Sequence, residues 1–258
     1  MSASDQPRGV DGAARAGRDL LVRGLAAGYG GTAVVRDMTL DVPSSQVTLV
    51  IGPNGCGKST FAKSVAGVIP KMAGTVLLGG EDVTHLRSDQ LVRRGLGYVP
   101  QVRDVFDPLT VSENLQVSGW TLDKRTFAQR REEIHEVFPQ LAHMARRLAV
   151  NLSGGERKMV AFARVLMLAP SIVIIDEPTA GLSPRLAEEV LGQHVTRIAR
   201  AGAGVLLIEQ RASDALKIAD TVCVMSGGLL RLTRSAADQS THHDIVQTML
   251  GDFSEQQE

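Results

Sequence analysis

The sequence predicts an α/β fold with a mainly parallel core sheet. Short apolar runs rich in Val, Ile and Leu alternate with longer stretches of helical pattern. Strands buried on both faces of a sheet carry continuous apolar runs, and parallel neighbours need helical connections between them. The runs interpreted as strands are Val47–Ile51, Thr75–Leu78, Ile172–Ile175, Val205–Ile208 and Thr221–Met225. The main helical patterns cover Lys58–Val68, Gly155–Leu168, Pro184–Ala201 and Ser213–Ile218.

Two stretches depart from this alternation. Leu20–Val42 carries short alternating runs around a glycine-rich turn, which predicts an antiparallel β-region beside the main sheet. Residues 105–150 contain no strand pattern and many helix formers, so we expect a helical insertion with its body at Leu122–Leu148. The predicted domain covers residues 20–250, between a disordered N-terminal tail at 1–19 and a C-terminal tail at 251–258.

The composition excludes several classes of function. Lys and Arg together number 28, as do Asp and Glu, so the formal net charge of the 258 residues is zero. A general nucleic-acid binder needs a basic surface, and a single-strand binder needs stacking aromatics, which form only 3% of this chain. We therefore expect no nucleic-acid partner.

Cysteine usage and hydropathy indicate a cytoplasmic protein. The two cysteines, Cys56 and Cys223, are too few for a disulfide-stapled scaffold. The best candidate for a membrane span, Val160–Ile175, is interrupted by Arg164 and Pro170. The N-terminal residues also lack the apolar core of a secretory signal.

One loop matches the phosphate-binding P-loop pattern at every fixed position. It follows a predicted strand and opens a predicted helix, which is the context that the motif requires. The backbone N–H groups of such a loop form an anion nest, and the helix N-terminus adds partial positive charge. Lys58 is expected to reach the β- and γ-phosphates, and the Ser59 hydroxyl to coordinate Mg²⁺. The predicted nucleotide-binding residues of this loop are Gly52, Pro53, Asn54, Gly55, Cys56, Gly57, Lys58, Ser59 and Thr60.

Cys56 admits two interpretations. A thiol at a helix N-terminus can have a lowered pKa and take part in redox chemistry. Alternatively, Cys56 is a small residue tolerated at a variable position of the loop.

A second chemical signal is the apolar strand that ends in Asp176 and Glu177. Ligand sites of parallel sheets lie at the carboxyl ends of the strands, so these acids are expected to face the phosphates. Asp176 is expected to hold Mg²⁺ through its water shell, and Glu177 to polarise the attacking water as a general base. Alternatively, the two acids mark a simple turn, which Pro178 would also favour.

A P-loop with an acidic strand end is shared by kinases, GTPases, RecA-like motors and transporter ATPases. The segment Leu152-Ser153-Gly154-Gly155-Glu156 narrows this set of functions. Ser153 and Glu156 have the spacing of a capping box, which explains helix initiation but not the two glycines between them. A γ-phosphate packed against the bare helix N-terminus would explain the glycines. With this segment, the sequence resembles the ATP-binding subunits of ABC transporters from Leu20 to about Leu250.

The resemblance implies a P-loop NTPase fold of the ABC ATPase type. Tyr29 looks like the aromatic residue that stacks on adenine, and Gln101 like the glutamine that senses Mg²⁺ and the attacking water. The signature, made of Ser153, Gly154, Gly155 and Glu156, would close over ATP held by the P-loop of a second subunit. With the patterns above, the expected Mg²⁺ ligands are Ser59, Gln101 and Asp176, and the expected catalytic residues are Lys58, Glu177 and Gln210.

Gln210 departs from the family pattern, which usually has a histidine after the strand that corresponds to Val205–Ile208. A glutamine can hydrogen-bond the γ-phosphate but cannot carry a proton as imidazolium does. The pair Glu209-Gln210, with Val105-Phe106 and Leu109-Thr110-Val111, resembles the shorter ATPase subunit of branched-chain amino-acid importers and its equivalent in urea and amide importers. That subfamily often carries glutamine at this position.

The resemblance also implies cofactors and partners. The chain would hydrolyse ATP with Mg²⁺ and power the import of a small solute. It would pair with a second ABC ATPase subunit, either a sister chain or a copy of itself, beneath two transmembrane permease subunits. An extracytoplasmic solute-binding protein would act with it indirectly. Such a subunit is peripheral on the inner face of the cell membrane.

Two alternative functions are a soluble ABC-type ATPase and a nucleotide-dependent scaffold. A soluble ABC-type ATPase of translation or DNA repair normally has tandem domains or long coiled-coil insertions, which 258 residues do not accommodate. A nucleotide-dependent scaffold with negligible turnover is motivated by Gln210. Trp120 either lines a surface for a membrane partner or serves simple packing, and His242-His243 marks either a metal site or a solvated helix start.

Overall fold

The computed structural model describes residues 18–102, 104–238 and 245, which form two β-sheets flanked by helices. A four-stranded antiparallel sheet has the order β2-β1-β4-β5, and a six-stranded sheet has the order β10-β9-β3-β8-β7-β6. The strands are β1 (Leu20–Tyr29), β2 (Thr32–Val42), β3 (Val47–Ile51), β4 (Lys71–Leu78), β5 (Glu81–Asp82), β6 (Leu96–Val99), β7 (Ile172–Asp176), β8 (Gly204–Glu209), β9 (Thr221–Ser226) and β10 (Leu229–Ser235).

The helices lie between the strands and in the insertion. They are α1 (Lys58–Val65), α2 (Ser88–Arg93), α3 (Val111–Ser118), α4 (Lys124–Val137), α5 (Gln140–His143), α6 (Gly154–Leu166), α7 (Pro184–Glu189), α8 (Thr196–Arg200) and α9 (Ala212–Leu216). A 3-10 turn covers Ala149–Asn151, and a π-helix, Val190–Val195, joins α7 to α8. The helix predicted at Pro184–Ala201 therefore contains a π-helical segment, which the apolar pattern did not indicate.

The larger sheet is parallel except at one edge. Strands β9, β3, β8, β7 and β6 pair in parallel, and only β10 pairs antiparallel, with β9. The predicted α/β fold, with a mainly parallel sheet and an antiparallel β-region, is confirmed. Because the pairing is parallel, the carboxyl ends of the central strands meet at one edge of the sheet.

Alternate residues of the central strands supply two separate apolar layers. In β8, Val205 and Leu207 pack with the helices and the insertion, whereas Leu206 and Ile208 pack with α1 and the antiparallel sheet. All four side chains are fully buried. Burial on both faces explains why these strands are continuous apolar runs in the sequence.

The insertion is helical, as predicted, and its helices begin at capping residues. Thr110 caps α3 and Asp123 caps α4, where the Asp123 carboxylate accepts from the backbone N–H groups of Arg125 and Thr126 at 2.9 Å each. Phe138 ends α4 and packs edge-on against His194 of the π-helix, with 5.2 Å between ring centroids. Arg197 also donates to the Val137 carbonyl at 2.8 Å. These contacts fix the insertion to the main domain.

Three strands, β5, β6 and β10, were not predicted from the sequence, and β5 comprises only Glu81 and Asp82. Strand β6 is short and contains Gly97, where a Cβ would lie 2.3 Å from Val165 of α6, so close helix packing removes an apolar side chain from the pattern. Strand β10 is an edge strand with an exposed face, and it therefore reads as mixed polar sequence. Strand β4 begins at Lys71, four residues before the predicted start, because its first half is largely exposed.

The predicted tails lie mostly outside the described residues. Residues 1–17 and 246–258 and the pair His242-His243 are not described, so their assignments stay predictions. Arg18 donates to the Leu78 carbonyl at 3.1 Å, and Asp19 accepts from the Ser44 N–H at 2.8 Å. Arg18 and Asp19, which the predicted tail included, therefore contact β4 and the turn after β2.

We predict that Phe138→Ala lowers the free energy of unfolding by about 3–5 kcal/mol, because it empties a fully buried aromatic site between the insertion and the core. Denaturant unfolding measures the change. Trp120→Ala is the control, since Trp120 is 80% exposed in the same insertion and its loss should change stability by about 0.5 kcal/mol or less. A loss under about 1 kcal/mol for Phe138→Ala would contradict this anchoring role.

Candidate nucleotide-binding site

The P-loop follows β3 and leads directly into α1. Gly55 and Gly57 adopt positive φ angles of 78° and 104°, a region that glycine enters without steric cost. At Gly52 a Cβ would lie 2.1 Å from the carbonyl oxygen of Met225, so the neighbouring strand β9 requires glycine there. The loop is therefore shaped by backbone conformation and by close packing on the sheet.

Lys58 connects the P-loop to the acidic end of β7. Its ammonium donates to the carbonyl oxygens of Gly52 and Pro53 at 2.8 and 3.0 Å. The same nitrogen lies 3.9 Å from Oε1 of Glu177, and the Lys58 side chain is only 4% exposed. One buried cation thus lies between the loop and the carboxylate.

Asp176 lies at the end of β7 and faces the P-loop. Its carboxylate accepts from the Ser59 hydroxyl at 3.1 Å and from the Tyr98 hydroxyl at 3.3 Å. Burial raises the pKa of Asp176, while both hydrogen bonds and the nearby Lys63 and Lys58 oppose the increase. Burial and the charge of Asp176 also raise the pKa of Tyr98, so this phenol stays a hydrogen-bond donor. No motif in the sequence pointed to a role for Tyr98.

Glu177 has an unusual backbone. Its φ is 45°, in the left-handed region that few residues other than glycine adopt. Its N–H donates to the Ile208 carbonyl of β8 at 2.9 Å, and its carboxylate accepts from the Gln101 side-chain amide at 2.9 Å. The strand end thus directs the Glu177 side chain toward Lys58 and Gln101.

The loop that carries Gln101 is held by cations of α6. Lys158 forms a buried ion pair with Asp104 at 2.6 Å and also donates to the Gln101 carbonyl at 3.1 Å. The Arg164 guanidinium lies over the Phe106 ring, 4.3 Å from its centroid. Helix α6 begins at the signature, so one rigid helix carries both the signature and these contacts.

Gln210 follows β8 at the same edge of the sheet and is exposed. The preceding residue, Glu209, is 1% exposed and accepts from the N–H and the hydroxyl of Thr179 at 3.1 and 2.8 Å. Its other oxygen accepts from the Gln210 N–H at 3.1 Å. Burial raises the pKa of Glu209, and these hydrogen bonds oppose that increase. In the sequence, Glu209 was noted only as part of the pair Glu209-Gln210, and none of these contacts was predicted.

The signature forms the N-terminus of α6. Ser153 and Glu156 make the predicted capping box, and Arg147 pairs with Glu156 at 2.7 Å. A Cβ at Gly154 would lie 2.8 Å from the end of the Leu182 side chain. That flexible side chain could move aside, so packing within the chain does not by itself require glycine there. The contacts of Ser153 and Glu156 lie within this region and not at the P-loop.

Tyr29 lies at the hairpin between β1 and β2. Its side chain is 51% exposed, and Tyr29 pairs with Thr32 across the turn. Val34 of β2 packs beside the P-loop: a Cβ built at Gly57 would lie 3.4 Å from Cγ1 of Val34. The hairpin that carries Tyr29 therefore adjoins the P-loop.

Comparison with known proteins identifies the family. A family model described as ABC transporter matches residues 35–180. The probable branched-chain amino acid transport ATP-binding protein LivF of Archaeoglobus fulgidus is 34% identical over 88% of this chain and 96% of LivF. The chain belongs to the ABC transporter ATP-binding family.

Further relatives of this ABC ATPase are named for branched-chain amino acid transport and for lipopolysaccharide export. The high-affinity branched-chain amino acid transport ATP-binding protein BraG of Pseudomonas aeruginosa is 32% identical over 86% of this chain and 95% of BraG. The lipopolysaccharide export system ATP-binding protein LptB of Haemophilus influenzae is 31% identical over 90% of this chain and 97% of LptB. A solved ADP conformation of an ABC transporter ATP-binding cassette superposes with a TM-score of 0.80 at 26% identity, covering 91% and 99% of the two chains.

The predicted resemblance and the predicted ATPase activity are confirmed by these matches. The chain is an ATP-hydrolysing, nucleotide-binding subunit that works with transmembrane permease partners. Within residues 18–102, 104–238 and 245, the structure contains no helix with the length and apolar character of a membrane span.

The donor atoms of this ABC ATPase site suit Mg²⁺. The ion prefers hard oxygen ligands, and the Ser59 hydroxyl lies 3.1 Å from the Asp176 carboxylate. The side-chain amide nitrogen of Gln101 donates to Glu177, so the side-chain carbonyl oxygen of Gln101 is left as a further oxygen ligand for the ion. The predicted ligand residues thus fit the ion.

We predict that both thiols of this ABC ATPase react slowly in the native state. Burial raises the pKa of Cys56 despite the opposing charge of Lys58, and burial raises the pKa of Cys223 to about 11. A raised pKa lowers the thiolate fraction at pH 8, so labelling by a disulfide reagent should be about tenfold or more slower than in denaturant, and should accelerate above pH 9. Cys56→Ala assigns the two rates. Rapid native labelling of Cys56 at pH 7 would support the redox interpretation instead.

Proposed function

We propose that this ATPase powers the import of branched-chain amino acids, using ATP and Mg²⁺. The observation that carries the proposal is the convergence of Lys58, Ser59, Asp176 and Glu177 at one edge of the parallel sheet. The choice of branched-chain amino acids as the solute is supported by the relatives, since LivF and BraG are both named as branched-chain amino acid transport proteins. The pair Glu209-Gln210, which the importer subfamily often carries, agrees with this assignment.

Each residue of the site has a defined part in hydrolysis. The P-loop N–H groups and Lys58 bind the phosphates, and Tyr29 stacks on adenine. Ser59, Asp176 and Gln101 would hold Mg²⁺, which would supply charge neutralisation at the phosphates. Glu177 polarises the attacking water, and its contact with Gln101 orients the carboxylate.

Gln210 hydrogen-bonds the γ-phosphate without transferring a proton, because an amide has no titratable group near neutral pH. Its exposure at the carboxyl end of β8 is compatible with this role. The rate of hydrolysis should therefore not depend on an imidazole at this position.

A second ATPase subunit completes the site. Ser153 and Gly154 are exposed at the N-terminus of α6, where the helix dipole favours an anion. The signature of one subunit would contact the γ-phosphate bound by the other, so hydrolysis requires a pair. The partner is a copy of this chain or a sister subunit.

The permease subunits dock on the insertion and the adjacent Gln101 loop. Large apolar side chains are exposed there, with Val102 at 68%, Phe106 at 43% and Trp120 at 80%. Exposed apolar clusters are typical of protein interfaces. The complex would lie on the cytoplasmic face of the cell membrane, with an extracytoplasmic solute-binding protein delivering the solute. The independent domain would span residues 20–250.

Export of lipopolysaccharide is a second candidate, because LptB is nearly as similar in sequence as BraG. The contacts to the transported molecule belong to the permease, so the ATPase site itself is the same under both functions. Urea or short amides are a further importer alternative.

We predict that Glu177→Gln retains ATP binding and loses turnover by about a hundredfold or more, because the water-polarising carboxylate is gone. With ATP, this variant should form a dimer whose mass in solution is twice that of the nucleotide-free chain. Glu188→Gln is the matched control, since Glu188 is exposed and pairs only loosely with Lys217 at 3.6 Å. Full turnover by Glu177→Gln would contradict the assigned role, and an ATP-bound monomer would indicate a sister subunit.

We predict that deleting the gene in its source organism reduces uptake of radiolabelled leucine, isoleucine and valine. The wild-type gene should restore uptake, whereas the Glu177→Gln gene should not, because import depends on hydrolysis. Urea uptake and outer-membrane lipopolysaccharide content serve as parallel measurements. Normal leucine uptake with lost lipopolysaccharide export would refute the importer in favour of the second candidate.

A further inference from the structure

Glu209 is a buried carboxylate whose hydrogen bonds join two loops of the site. One oxygen accepts from the N–H and the hydroxyl of Thr179, which lies two residues after Glu177, and the other accepts from the Gln210 N–H. Thr179 and Glu209 are each 1% exposed. Three donors around one buried carboxylate make a fixed link, since a charge in this environment needs all of its partners.

The segment from Glu177 to Leu182 is a tight turn. The Ala180 N–H donates to the Glu177 carbonyl at 3.2 Å, and the Leu182 N–H donates to the Thr179 carbonyl at 3.1 Å. Glu177 itself holds a φ of 45°, a conformation that persists only when surrounding contacts enforce it. Two contacts from β8 hold this turn. The Ile208 carbonyl accepts from the Glu177 N–H, and the Glu209 carboxylate accepts from Thr179.

We propose that Glu209 is a positioning residue for ATP hydrolysis. Its carboxylate ties Thr179 to the backbone of Gln210 and thereby fixes the turn that directs Glu177 toward Lys58 and Gln101. Glu209 acts through Glu177 and does not touch the reacting atoms. The inference rests on the proposed role of Glu177 as the residue that polarises water.

The link should affect the rate of hydrolysis more than the binding of ATP. The phosphates are bound by the P-loop and Lys58, whose contacts to Gly52 and Pro53 do not involve Thr179 or Glu209. A small displacement of a catalytic carboxylate is sufficient to reduce the rate by one to two orders of magnitude. Loss of the link is therefore expected to lower kcat and to leave the KM for ATP little changed.

The decisive variant is Thr179→Val, which removes the hydroxyl bond to Glu209 and keeps the side-chain shape. We expect kcat to fall about tenfold, with the KM for ATP within about twofold of the parent. Thr179→Ser, which retains a hydroxyl, should recover most of the lost rate. Glu209→Gln should also lower kcat, and the double variant should lose less than the product of the two single effects, because both act on one bond.

Thr48→Val is the matched control. Thr48 is a fully buried threonine of β3 whose hydroxyl donates to the Asp41 carbonyl at 3.0 Å, away from the carboxyl end of the sheet. This variant tests the effect of losing a buried hydroxyl bond on stability alone, so kcat should be retained even where the melting temperature falls. Glu177→Gln is assayed in parallel.

The outcomes separate the two proposals. A reduced kcat for Thr179→Val, recovered by Thr179→Ser and not shared by Thr48→Val, supports the positioning role. Unchanged kcat in Thr179→Val, or an equal loss in Thr48→Val, refutes it while an inactive Glu177→Gln leaves the proposed function intact. Full activity of Glu177→Gln refutes the role of Glu177 itself.

Discussion

The parallel pairing of β3, β8 and β7 is the constraint on which the rest of the site depends. The register places Ile51 beside Glu209 and Asp176 beside Ile208, so three strands end together. The P-loop, the acidic pair and Gln210 each follow one of these ends. Because the strands are packed by apolar layers on both faces, small changes in the layers would move every group of the site at once.

Ion pairs hold the segments that surround the carboxyl edge of the parallel sheet. The chain is neutral overall, yet α6 presents a row of cations to the loop after β6, with Arg157 on Asp107 and Lys158 on Asp104. These pairs attach the insertion and the Gln101 loop to a single helix. Removing one member of the buried Lys158–Asp104 pair would leave an unpaired charge, which is far more costly than losing an exposed pair.

The sequence predicted the elements whose signal is local. The P-loop, the capping box at Ser153 and the strand before Asp176 each follow from a few consecutive residues. The partners of Asp176 and Glu209 could not be predicted in this way, because Tyr98 is 78 residues from Asp176 and Thr179 is 30 residues from Glu209. Only the assembled sheet brings them together. Strand β6 was missed for a similar reason, since Gly97 is selected by the distant side chain of Val165.

The left-handed backbone at Glu177 has a consequence for evolution and engineering. A residue with a Cβ in this conformation costs roughly 1 kcal/mol relative to glycine. A glycine variant would relieve this backbone strain but would lose the contacts of the carboxylate with Gln101 and the buried Lys58. Backbone strain is thus the cost of holding a carboxylate at the end of β7, and a screen for stability alone would not select for that carboxylate.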